Sequence, residues 1–205
     1  MKHETLAPWG EPVPGDTPMT ADDLLALDDS AWQYELVDGR LLRMAPTGLE
    51  HFDVTQKLYR KVDRYVEERQ LGIVTLPDTG FAFSRPDAAD TVLSPDLAFV
   101  SAARVAQLPA PGSPERRKYL RVVPDLVVEV ASPDQFHPEM AAKARLYLEL
   151  GVPLVWVVWP ALRQVDVWRA GASDPVATLD GGATLEGGDT LVGFTYPLGQ
   201  LFAGM

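Results

Sequence analysis

Apolar residues return along this chain in two rhythms, and each rhythm predicts an element. Over residues 47–70, Phe52, Leu58, Tyr59, Val62, Tyr65 and Val66 follow the three-and-four spacing of one buried helix face. Gly72 ends that helix. Over 124–130 the run Pro-Asp-Leu-Val-Val-Glu-Val is nearly continuous, as expected of a central strand covered on both faces. Residues 154–159 and 165–169 read as further strands of the same sheet. Between them, 138–150 reads as a helix, with Pro138 in its first turn and Gly151 as its stop.

The remaining elements are shorter. Thr20-Ala21-Asp22-Asp23 caps a short helix carrying Leu24, Leu25 and Leu27. Residues 32–44 form a hairpin around Asp38-Gly39, a dipeptide that tolerates the positive φ of a tight turn. Residues 73–83 and 91–100 read as strands, 102–108 as a short helix and 109–121 as a loop. Short strands and glycine-rich turns fill the last quarter, closed by a helical turn over 197–202. This mixed order predicts an α/β (α+β) sandwich around one sheet. The expected organisation is a flexible proline-rich leader over 1–19 and a single domain over 20–205.

The 205 residues suffice for a buried core, and 46% hydrophobic with 23% charged residues is ordinary for a soluble globular protein. No apolar run is long enough to cross a bilayer, and the leader lacks the apolar stretch of a signal peptide. No membrane partner is expected, and a cytoplasmic location is the default. The absence of cysteine excludes disulfides, thiolate metal sites and a thiol nucleophile. A net charge of −11 argues against a nucleic-acid partner. The acidity, however, sits at the ends: residues 1–30 carry −6 and 171–205 carry −4, leaving the middle close to neutral.

Two predicted strands carry an acid among apolar residues. Asp96 shares a face with Ala98 and Val100, and Glu129 shares one with Val127 and Ala131. An ionised carboxylate among valines is costly unless it is protonated, paired with a cation or bound to a metal. Lys143 lies on the helix after Glu129, on the side marked by Leu146 and Leu150, and a packed helix would bring it towards Glu129. The competing reading pairs Lys143 with Glu139 one turn earlier on the surface. Phosphodiester hydrolysis uses such a set. Mg²⁺ is often held by one or two carboxylates, water and phosphate, and an ammonium can orient the attacking water or stabilise developing charge. Two structural salt bridges, or strand-end acids facing water, would leave the same trace in sequence.

An ordered series of short motifs resembles a known family. Tyr34-Glu35-Leu36-Val37-Asp38-Gly39, Pro95-Asp96, Val128-Glu129-Val130-Ala131-Ser132-Pro133, Lys143-Ala144-Arg145-Leu146-Tyr147 and Gly151-Val152 follow one another as in the Uma-two family of putative restriction endonucleases, within the PD-(D/E)XK nuclease superfamily. The resemblance spans roughly residues 20–202. It implies a restriction-endonuclease-like core, a central mixed β-sheet flanked by helices. It implies Mg²⁺, replaceable by Mn²⁺, on Asp96 and Glu129, with the Val130 carbonyl as a further ligand. Glu35 would be the upstream acid. The superfamily usually places a lysine two residues after the strand glutamate; Ala131 stands there, and Lys143 would be the relocated lysine. His51, near the start of the long helix, is a weaker candidate for a phosphate contact or proton carrier. His137 is assigned to a helix start. The family's aspartate before a proline at the end of the next strand is replaced here by Trp159.

The resemblance implies a Mg²⁺-dependent endonuclease, with DNA the preferred nucleic-acid partner. Lys57, Arg60, Lys61 and Arg64 form one basic helix stripe, and Arg116, Arg117, Lys118 and Arg121 form a basic loop cluster; both are candidates for phosphate contact. A homodimer would suit cleavage of both strands. A catalytically inactive module keeping the nuclease fold is the alternative. Metal-free glycoside hydrolysis by paired acids is a third reading that apolar strands and a helix lysine fit poorly.

Overall fold

The computed structural model describes residues 9–27, 32–85 and 88–205. The chain runs β1 (Glu11–Pro12), α1 (Ala21–Leu25), β2 (Gln33–Val37), β3 (Arg40–Met44), α2 (Leu49–Glu68), β4 (Gly72–Thr75), β5 (Phe81–Phe83), β6 (Thr91–Leu93), β7 (Leu97–Ser101) and α3 (Ala102–Val105). It continues through β8 (Leu126–Val130), α4 (His137–Glu149), β9 (Leu154–Trp159), β10 (Gln164–Arg169), β11 (Ala177–Leu179), β12 (Thr184–Glu186), β13 (Thr195–Pro197) and α5 (Leu198–Leu201).

The apolar run around Glu129 becomes the middle of the larger sheet, ordered β11-β10-β9-β8-β7-β4. All five residues of β8 are buried, as are all six of β9. The two strands pair in parallel, with α4 as the crossover. The other neighbours in this sheet pair antiparallel. One face, with Leu97, Phe99, Leu126, Val128 and Trp156, packs against Val54, Leu58, Val62 and Val66 of α2. The opposite face, with Ala98, Val100, Val127, Val155 and Val157, packs against Met140, Ala144 and Tyr147 of α4.

A second sheet, ordered β1-β3-β2-β6-β5, joins the α4 side. Val37, Leu42, Phe81, Phe83 and Leu93 enter the shared core, while Leu36, Leu41, Ala82 and Val92 pack under Ala21 and Leu24 of α1. Residues 73–83 and 91–100, each expected as one strand, are each split between the two sheets. The breaks fall at Pro77-Asp78, where Asp78 takes φ 72°, and at Ser94-Pro95. Proline cannot donate to a ladder, and a left-handed residue turns the chain out of it. Each segment therefore crosses from one sheet to the other, which brings β2 beside the mouth of β7.

Three expectations are corrected. Residues 9–19 were assigned to a flexible leader, yet Trp9 is buried and Glu11–Pro12 pairs with β3; residues 1–8, with His3, lie outside the described residues. Phe52 was placed on the buried face of α2 but is 54% exposed. The buried line instead runs through His51, Val54, Thr55, Leu58, Val62 and Val66, and Tyr59 and Tyr65 flank it half-buried. Asp96 is not within a strand; it occupies the bend directly before β7.

Candidate active site

Glu35, Asp96, Glu129 and Lys143, far apart in sequence, converge on one end of the larger sheet. Glu129 sits on the α4 face of β8, as strand alternation predicts, and is buried. Leu97 pairs with Val128 across β7 and β8, so Asp96 and Glu129 stand at adjacent ends of neighbouring strands. The Val130 backbone N–H donates to Asp96 Oδ2 at 2.7 Å, tying the two strand ends together. Asp96 Oδ2 also lies 3.0 Å from His51 Nε2. The first turn of α2 thus reaches the acid from the other face of the sheet.

Lys143 points into the fold and is 3% exposed. Its Nζ donates to Glu129 Oε2 at 3.0 Å and lies 3.2 Å from Glu35 Oε1. It pairs with these two acids and not with Glu139, so the surface reading of Lys143 does not hold. One helical turn on, the Tyr147 hydroxyl donates to Glu129 Oε1 at 2.7 Å. Glu35 Oε1 also accepts the Ser94 backbone N–H at 2.9 Å, and Oε2 accepts the Trp9 indole N–H at 2.7 Å. The local sequence signal for Trp9 is weak: a large aromatic within a polar, proline-rich run. Tyr147 lies four residues after Lys143, a spacing that places it on the same helix face.

Three acids and one ammonium share this space. Burial pushes Glu129 up to about 8, and the Asp96 and Glu35 charges add to the rise; Lys143 and the Tyr147 hydrogen bond oppose it. Burial disfavours the Lys143 ammonium, but the Glu129, Glu35 and Asp96 carboxylates outweigh that cost, so its proton is held more tightly than usual. Burial, then Glu129 and Glu35, push the Tyr147 phenol well up, which keeps it a hydrogen-bond donor.

The cluster opens into a cleft of about 860 Å³ whose lining includes Glu35, His51, Asp96, Glu129 and Lys143. Among the described residues, no three His, Cys, Asp or Glu side chains form a ready-made metal cluster. The donors present nevertheless suit a hard cation that keeps several waters: two adjacent carboxylates and a backbone carbonyl, all oxygen. Asp96 uses only Oδ2 in both contacts above, and the surplus of negative charge is of the sign a cation would relieve.

The basic candidates fare unevenly. Lys57 Nζ donates to the Leu201 and Ala203 carbonyls at 3.2 and 2.7 Å, and so ties α2 to the C-terminal segment. In the loop cluster, Arg116 donates to the Pro109 carbonyl and Lys118 pairs with Asp22. The Arg117 side chain lies outside the described residues. Arg60, Lys61, Arg64 and Arg121 are exposed. His137 begins α4 and stacks on Trp159, with ring centroids 3.9 Å apart. Trp159 donates its indole N–H to Asp166.

A mixed sheet flanked by helices, with acids gathered at one end and a lysine from the crossover helix, places the chain among the α/β proteins. A crystal structure of a putative nuclease belonging to DUF820 from Anabaena variabilis shares the fold: the TM-score is 0.72 at 18% identity, covering 90% of this chain and 98% of that one. The chain belongs to the Uma2 family, described as "Putative restriction endonuclease", whose model matches residues 21–199. No curated protein matches it. Among the described residues, no helix is long and apolar enough to cross a membrane.

Proposed function

We propose that this chain is a Mg²⁺-dependent endonuclease that hydrolyses phosphodiester bonds in DNA. One observation carries the reading: Glu35 and Glu129 share a single buried ammonium, Asp96 stands on the neighbouring strand end, and all four line one open cleft. A lone structural ion pair needs one acid for one base; here two acids share one ammonium and a third stands beside them. Asp96, Glu129 and the Val130 carbonyl would hold Mg²⁺, with Mn²⁺ as a substitute. When bound, the metal would polarise the phosphate and acidify a water.

The protein groups have separable parts in this reading. Lys143 holds its proton tightly, so it stabilises developing negative charge and orients water rather than accepting a proton. Glu35 is the second carboxylate on Lys143 and the upstream acceptor for water. Tyr147 fixes the Glu129 carboxylate, and His51 with the Val130 N–H fixes Asp96. Arg60, Lys61, Arg64 and Arg121 are the exposed bases available to phosphate.

The test is nicking of supercoiled plasmid by wild type and Asp96→Asn. Wild type should nick with Mg²⁺ and stop with EDTA. Asn can still accept the Val130 N–H, so the variant should keep its fold and lose nicking. Equal activity in the two proteins would refute the assignment.

A second reading, a catalytically inactive interaction module, draws on the net charge of −11 and on the engagement of Lys57, Arg116 and Lys118 within the chain. Calorimetry separates the readings, because absence of Mg²⁺ or Mn²⁺ binding at millimolar metal would favour the module.

A further inference from the structure

Trp9 lies outside residues 21–199, the part of the chain the family model matches. It is nevertheless in direct contact with the site. The indole is 5% exposed, its N–H donates to Glu35 Oε2 at 2.7 Å, and its ring centroid lies 5.8 Å from Lys143 Nζ. The segment is held firmly: Glu11 and Pro12 pair with Arg43 and Leu42, and the Val13 N–H donates to the Leu41 carbonyl at 2.9 Å. Gly10 packs so closely that an added Cβ would sit 2.9 Å from Met44 Sδ and 3.0 Å from the Arg43 carbonyl oxygen.

The hydrogen-bond pattern gives the tryptophan a task beyond packing. Glu35 Oε1 takes both the Ser94 N–H and the Lys143 ammonium, while Oε2 takes the Trp9 N–H. The terminal torsion of a glutamate is soft, so a carboxylate held by one oxygen alone can swing. Holding the second oxygen fixes its plane. An aromatic ring over the ammonium also keeps water away from the Glu35–Lys143 pair.

We propose that Trp9 is a positioning residue: it sets the orientation of Glu35 and covers Lys143, making residues 9–12 part of the active site. The catalytic consequence rests on the nuclease reading, but the geometry can be tested without it. The chain has five tryptophans, so Trp9→Phe identifies one indole signal in the ¹H–¹⁵N spectrum. In wild type that N–H should exchange slowly with solvent and shift in Glu35→Gln. In nicking assays, Trp9→Phe should lower kcat by about tenfold to a hundredfold with KM for plasmid little changed. Wild-type kcat in the folded variant, or an indole N–H that exchanges as fast as an exposed one, would overturn the proposal. If wild type shows no Mg²⁺-dependent nicking, the nuclease reading falls, and indole exchange with its response to Glu35→Gln alone decides the role of Trp9.

Discussion

Replacing Glu129 by glutamine should invert the stability order of the metal-free protein between low and high pH. Glu129 is buried beside Asp96 and Glu35, and its carboxyl is pushed from 4.5 up to about 8. The protonated form is therefore the one the fold favours. Below about 4.5 the group is protonated in both folded and unfolded chains and imposes no penalty. Between 4.5 and 8 the unfolded chain ionises first, so stability is lost as pH rises, and above about 8 the penalty is complete. At about 1.4 kcal/mol per unit, the gap sets a ceiling on the order of 5 kcal/mol. Glutamine removes this penalty, but its amide NH₂ must face one of two donors, the Lys143 ammonium or the Tyr147 hydroxyl. That mismatch costs about 1–3 kcal/mol. The net gain at pH 9 is then at most about 2–4 kcal/mol, roughly 4–16 °C in Tm for a chain of this size.

Thermal unfolding in EDTA, followed by circular dichroism at pH 5 and pH 9, checks this. The variant should melt below wild type at pH 5 and above it at pH 9. Adding Mg²⁺ at pH 9 should raise wild type alone, because only a protein that binds the ion is stabilised by it. A variant less stable than wild type at pH 9 in EDTA, or a difference that does not change with pH, would refute the reasoning.

Lys143→Met leaves Glu129 and Glu35 buried without their cation, and should destabilise the protein by about 3–5 kcal/mol in urea unfolding at pH 8. Its deficit should shrink at pH 5, where Glu129 is closer to neutral. Gly72→Ala tests the fold alone: φ is 151° and a Cβ would fall 2.0 Å from the Val100 carbonyl oxygen, so β4 must shift. A loss of roughly 1–3 kcal/mol is expected from the urea midpoint, with no change in the Mg²⁺ affinity of the folded protein.

The shared neighbourhood of Glu129 and Lys143 was legible as one of two options, because it is local in kind. A strand followed by a helix that packs on it forms a parallel crossover, and the period of each element tells which side chains share a face. The same periods place Tyr147 beside Lys143. Glu35 entered from the order of short motifs; its contact with Lys143 depends on a second sheet that no spacing predicts. The splitting of 73–83 and 91–100 between two sheets was hidden because an apolar run looks the same whichever sheet its ends join. Phe52 misled for a related reason: spacing identifies a stripe along a helix, but its exact rotation depends on the surface it meets.

By itself, the sequence determined which residues could share a face: Glu129 with Val127, Lys143 with Leu146, and Leu58 with Val62 and Val66. Backbone geometry imposes these relations whatever surrounds the element. Only the tertiary structure decided what covers each face and which charges meet there. It decided between Glu139 and Glu129 for Lys143 and added Glu35, tied up Lys57 on C-terminal carbonyls, and brought Trp9 from the expected leader onto Glu35. Desolvation and pairing depend on atoms distant in the chain, and those distances exist only once the two sheets and α4 have packed.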